Sequence, residues 1–221
     1  MEVLEAIRGR RSCRRYDPRP VEREKLLAVV EAATWAPSPG NSQPWRFVII
    51  QDAARKKAIR ENARLALRYH LYEVSGFQLP ALHRFDLRPL DGVGFGSHRP
   101  PPVHESYHLD FLERVPVFVA VAADPRATPD WVNEGRDDGH KYAAAAAIQN
   151  MLLAAYSLGL GSLWFTLFHE RTLKPQLGVA PQLHLVALVC LGYAAGAPPR
   201  AHRRQVSDLL RFLGEGEEDG T

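Results

Sequence analysis

Near the start of the chain, Arg10-Arg11-Ser12-Cys13-Arg14-Arg15 gathers guanidiniums, a hydroxyl and a thiol in one short run. Arginine makes forked, charge-assisted hydrogen bonds to phosphate oxygens, and a serine hydroxyl adds a neutral donor to the same group. The run suits an anion held beyond a short helix; a solvated basic patch is the alternative. His104-Glu105-Ser106-Tyr107-His108 meets the H-E-x-x-H zinc-hydrolase pattern, in which two imidazoles one helical turn apart hold the metal and the glutamate activates water. That chemistry needs a stable helix, which the prolines at 100–102 do not favour, and a third ligand, which has no candidate. Gly159-Leu160-Gly161-Ser162-Leu163-Trp164 begins like a dinucleotide fingerprint, but it follows a helix and lacks the last glycine. Gly92, Gly94 and Gly96 fail in the same way.

The elements that must carry these groups are legible from periodicity. Residues 2–8 read as a short helix, and Leu26, Leu27, Val29, Val30 and Ala33 give the span 22–35 one apolar helical face. The stretch from Pro37 to Pro44, PSPGNSQP, reads as a polar loop. A β-rich run follows at 46–51, a charged helix at 52–67, a buried strand at 116–124 and a long helix at 137–158. Its alanines, Ala143 to Ala147, suit either close approach of another helix, as at a dimer axis, or plain helix propensity. Strands at 162–168 and 185–193 and a short helix at 205–213 complete the set. Residues 69–113, rich in proline and glycine, read as an irregular insertion or lid, and 214–221 as a frayed tail. Helices and strands mix without regular βαβ alternation, so an α+β fold in a single domain over 1–221 is expected.

Composition narrows the function classes. With 46% hydrophobic and 24% charged residues the chain has an ordinary globular make-up. Its apolar runs are shorter than the ~20 residues of a membrane span, and the first residues do not read as a secretory leader. A cytoplasmic protein with no membrane contact is expected, with Cys13 and Cys190 as reduced thiols. The charge of +3 comes mostly from arginine. With a pI near 9.0 and arginine clusters at 10–15 and 200–204 it could serve nucleic acid, but no nucleic-acid motif accompanies them, and no such partner is expected.

The block RRSCRRYDPRPVEREKLLAVVEAATWAPSPGNSQPWRFVII resembles the opening signature of the nitroreductase family, RRSxRxF, a helix, then APSxxNxQPWxFxVV. Arg10, Arg11, Ser12, Arg14, Ala36, Pro37, Ser38, Asn41, Gln43, Pro44, Trp45 and Phe47 meet it, with Tyr16 in the aromatic place. AAYSLGLGSLWFT at 154–166 and LVALVCLGYAAGAPPRAHRR at 185–204 agree in order and spacing.

The resemblance implies a central mixed or antiparallel sheet flanked by helices, and an intertwined homodimer with FMN at the subunit interface. Arg10, Ser12 and Arg14, with Arg11 beside them, would hold the phosphate and ribityl chain, and Arg203 with Arg200 would close on the phosphate. Pro37, Ser38, Pro39, Asn41 and Gln43 would come from the partner subunit, and Trp164, Phe165, Thr166 and Leu167 would pass the reactive ring edge. Several family members carry an acid and a glycine where this chain has Thr166-Leu167. Asparagine and lysine at the pyrimidine end have no assigned match. NADH or NADPH would donate hydride to the flavin and a small organic acceptor such as a nitroaromatic or quinone would receive it; the family also covers oxygen-using oxidases and dehydrogenases. The flavin carries the chemistry, so no catalytic side chain and no metal is expected.

Overall fold

The computed structural model describes residues 1–69, 109–127, 138–199 and 202–210. The H-E-x-x-H run, Arg200, Gly92, Gly94, Gly96 and nearly all of the expected lid and tail lie outside them.

Four strands form one sheet: β1 (Trp45–Ile50), β2 (Val117–Ala123), β3 (Gly161–Phe165) and β4 (His184–Gly192), in the order β1-β2-β4-β3. All strand pairs are antiparallel, and the single parallel element among the described residues is an isolated bridge from Ser12, outside the strands, to Ser162 of β3. Every residue of β2 is buried, because helices cover both faces of the sheet. On one face Val117, Val119 and Val121 pack with α2 (Arg23–Thr34) and α4 (Gly139–Ser157). On the other, Phe118, Ala120 and Ala122 pack with α3 (Ala53–Tyr69), α5 (Glu170–Leu177) and a turn of 3-10 helix at Leu109–Glu113. The period-2 alternation of a strand thus sends successive apolar side chains into two separate cores. A short helix α1 (Val3–Gly9) precedes the arginine run.

Several expectations are corrected. The strand expected at 162–168 ends at Phe165, where the chain turns and Phe168 N–H donates to Thr166 O at 3.0 Å. Helix α5 is additional to the expected elements: it holds Pro175 in its interior, yet Leu173 and Leu177, one turn apart, are buried and fix it to the core. Leu109 and Leu112, inside the stretch read as a lid, are core residues. The last helix, expected at 205–213, is a 3-10 turn at Val206–Asp208 within the described residues. Ala143, Ala144 and Ala147 are buried within the chain, where α4 lies against α2, so close packing inside one subunit accounts for them. Both cysteines are buried free thiols.

Candidate functional site

After α1 the chain runs alongside the exposed edge of the sheet. Cys13 N–H donates to Ser162 O at 2.9 Å, Asp17 N–H to Tyr193 O at 2.9 Å, and Ala195 N–H to Arg15 O at 2.9 Å. This pairing sends Cys13 and Tyr16 into the core and keeps Arg10, Arg11, Ser12 and Arg14 at the surface, half-buried. Gly161 makes the approach possible, since a Cβ there would stand 2.7 Å from Cys13 Sγ and 2.9 Å from its Cβ.

Arg10 is the centre of the positive field. Burial lowers its pKa first, and the neighbouring guanidiniums of Arg203 and Arg11 lower it further. Residues nearly two hundred positions apart are thereby brought to one place. Arg11 folds back, its Nη1 donating to Arg8 O at 2.5 Å and Arg10 O at 2.8 Å. No carboxylate pairs with Arg10, Arg11, Arg14 or Arg203 among the described residues. Like charges held together without a counter-charge are disfavoured unless an anion joins them. Arg10, Arg11, Gly161, Ser162 and Pro198 line a cleft of about 170 Å³. Ser162 is 1% exposed and its Oγ has no partner among the described residues; Trp164 Nε1, two residues along the strand, is likewise buried and unpaired. Buried polar atoms are normally satisfied, so the Ser162 hydroxyl in the cleft with Arg10 and Arg11 fits a missing polar ligand.

The loop between α2 and β1 is held in an unusual conformation. Gly40, Asn41 and Gln43 have φ of 58°, 55° and 44°. Side-chain bearing residues rarely adopt this region, and strain of this kind gathers at ligand sites. Ser38 holds the loop: its Oγ accepts from Gln43 N–H at 3.1 Å and its carbonyl from Asn41 N–H at 3.0 Å. Pro37, Asn41 and Gln43 are exposed, and Ser38 and Pro39 half-buried.

This loop and the arginine run do not meet within one chain. Trp45 pairs with Ala123 at one end of β2, whereas Ser12 bridges Ser162, which pairs with Leu191 and so lies level with Val117 at the other end. The two also flank opposite edges of the sheet. With strands ~4.8 Å apart and ~3.3 Å per residue, roughly 25 Å separates them.

Beyond β3, Thr166 is exposed and Leu167 half-buried. The segment is anchored by a residue that sequence reading passed over. Asn62 on α3 donates through Nδ2 to His169 O at 3.2 Å and to Thr172 Oγ1 at 2.8 Å, and its Oδ1 accepts from His169 N–H at 2.7 Å. An asparagine in a charged helix gives no sequence signal of burial.

The Nitroreductase family model matches residues 7–193. A Thermus thermophilus protein named NADH dehydrogenase is 31% identical, with 92% of each chain covered. A Rhodospirillum rubrum protein named 5,6-dimethylbenzimidazole synthase is 27% identical over 83% of this chain and 78% of that one. Among solved structures, a nitroreductase-type chain from Desulfovibrio desulfuricans in complex with FMN superposes with a TM-score of 0.69 at 29% identity, covering 96% of this chain and 97% of that one. The match spans the arginine run, the strained loop and the edge strand alike, and the chain therefore belongs to the nitroreductase family.

Proposed function

We propose that the protein is an FMN-dependent oxidoreductase that takes hydride from NADH or NADPH and passes it to a small organic acceptor such as a nitroaromatic or quinone. The observation that carries this reading is the convergence of Arg10, Arg11 and Arg203 on one positive site, uncompensated among the described residues, beside a cleft with a buried hydroxyl that has no partner among them. A dianionic phosphate answers both the charge and the donors.

Bound FMN would supply a single ring position that accepts hydride from one substrate and gives it to the next. The chain's own residues bind and orient. Arg10, Ser12, Arg14 and Arg203 hold the phosphate and ribityl end, with Arg200 in the same role outside the described residues. Trp164 to Leu167 run from that corner along the edge of the sheet, where backbone donors can favour negative charge on the reduced ring. Pro37, Ser38, Pro39, Asn41 and Gln43 reach the flavin of a second copy, because roughly 25 Å is too far for them to serve their own. A homodimer is therefore part of the proposal. Val3, Leu4 and Ile7 leave an apolar stripe of α1 63%, 58% and 49% exposed next to the site, a face that a second subunit would cover. The reading takes residues 1–221 as a single domain. No helix among the described residues is long and apolar enough to cross a membrane.

The test is an absorbance spectrum of the purified protein, before and after FMN and then anaerobic NADH or NADPH. A bound flavin that bleaches with nicotinamide supports the reading; failure to bind FMN overturns it. Admitting oxygen before and after a nitroaromatic or quinone separates this activity from oxygen-dependent turnover, to which the Thr166-Leu167 departure from the acid-glycine pattern draws attention.

A further inference from the structure

We propose that Asn62 is a positioning residue that sets the flavin's reduction potential from outside the flavin site, by fixing the backbone of the 166–169 segment. The inference rests on the flavin reading above and extends it to a residue on another element.

Asn62 is 5% exposed and sits between Ile59 and Ala63 on the core side of α3, a place where an aliphatic side chain would pack without desolvating an amide. Asparagine is also a weaker helix former than leucine or alanine. Its hydrogen bonds account for its presence. The oxygen takes His169 N–H, and the nitrogen serves both His169 O and Thr172 Oγ1. One side chain thus grips both backbone groups of the residue immediately before α5.

The geometry of the span makes that grip matter. β3 ends at Phe165 and α5 begins at Glu170, leaving four residues between a strand and a helix that are each locked in the core. At the start of this span Phe168 N–H bonds Thr166 O; at its end Leu173 N–H and the Thr172 hydroxyl both donate locally to His169 O. Asn62 ties this end of the span to another element, α3. Thr172 belongs to the same triangle, since its hydroxyl donates to His169 O at 3.2 Å while accepting from Asn62. A main-chain donor stabilises developing charge to the extent that it is held in place beforehand. The arginine cluster, at the far end of β3, does not depend on this tie, so potential and phosphate affinity should separate.

The experiment measures midpoint potential, FMN dissociation constant and melting temperature for Asn62→Leu and Thr172→Val beside the wild type. Asn62→Leu keeps the branching of the side chain and removes all three bonds, whereas Thr172→Val removes only the hydroxyl. The expected result is a lower potential in Asn62→Leu, a smaller shift of the same sign in Thr172→Val, and FMN affinity within about threefold of wild type, well under the tenfold of a lost phosphate contact. An unchanged potential in folded, flavin-loaded Asn62→Leu overturns the proposal, as does a tenfold loss of FMN affinity without a shift in potential. If Asn62→Leu does not fold, a wild-type potential in Thr172→Val overturns it. Wild-type protein that binds no FMN fails at an earlier step and sinks the flavin reading itself.

Discussion

At the residue scale the arginine run divides its labour by the pairing of its backbone with the sheet edge. Arg14 lies half-buried near the Cys13 and Cys190 thiols and the Tyr16 phenol, and its charge opposes the rise that burial imposes on all three. If Arg14 also grips the phosphate, Arg14→Ala removes a charge-assisted contact of about 1.5 to 3 kcal/mol. FMN affinity should then fall at least about tenfold, while the melting temperature of the flavin-free protein changes little. Flavin kept through purification of that variant would put the phosphate elsewhere. Cys190 makes a separate prediction. It is fully buried, and burial first, then Cys13, raises its pKa. The unfolded thiol ionises at about 8.5 while the folded one stays protonated there, so the unfolded state holds fewer protons above that value. Stability is complete below the unfolded value and declines above it, by about 1.4 kcal/mol per pH unit for this group. Denaturant titrations at pH 7 and 9.5 should show a larger alkaline loss in wild type than in Cys190→Ala, by about that amount; equal losses would mean the thiol does not contribute.

At the element scale, the alanines of α4 test which neighbour needs them small. Ala144 and Ala147 are 0% exposed, in the cluster shared with Val29 and Ala33 of α2. Overfilling a packed contact costs about 1 to 3 kcal/mol. Ala147→Leu should lower stability by that amount at every protein concentration; an effect confined to dimer assembly would return the alanines to a subunit interface. The strands, α2 and α4 are legible in the sequence from their apolar runs, and α3 from its start signal at Asp52 and its charged composition. Helix α5 is not, since Pro175 removes a donor and only Leu173 and Leu177 mark its buried face; packing against α3 supplies what local preference lacks. Of the candidate site, Arg10 to Arg14 and the 37–44 loop stood out by composition. The approach of Arg203 to Arg10 follows from the family resemblance and not from composition, and the three-bond role of Asn62 is visible only in the structure, because it joins residues over a hundred positions apart. The positive φ of Gln43 likewise has no composition signal, since glutamine seldom adopts it.

At the scale of the whole molecule, the diagonal separation of the arginine run and the strained loop sets the sharpest test. A symmetric dimer that builds each site from the arginines of one chain and the loop of the other contains two such composite sites. Arg10→Glu reverses the central charge. Asn41→Asp keeps a residue that tolerates positive φ and adds negative charge beside an anionic cofactor. Each variant alone should lose most FMN binding. When the two are unfolded together and refolded, half the dimers are mixed; in each, one site carries both changes and the other carries neither. About a quarter of all sites should then bind FMN with wild-type affinity. If arginines and loop served the same flavin within one chain, every site would keep a defect and mixing would restore nothing. Recovery therefore reports directly on whether the folded chain completes its own site or its neighbour's, and it does so without requiring that the acceptor be known.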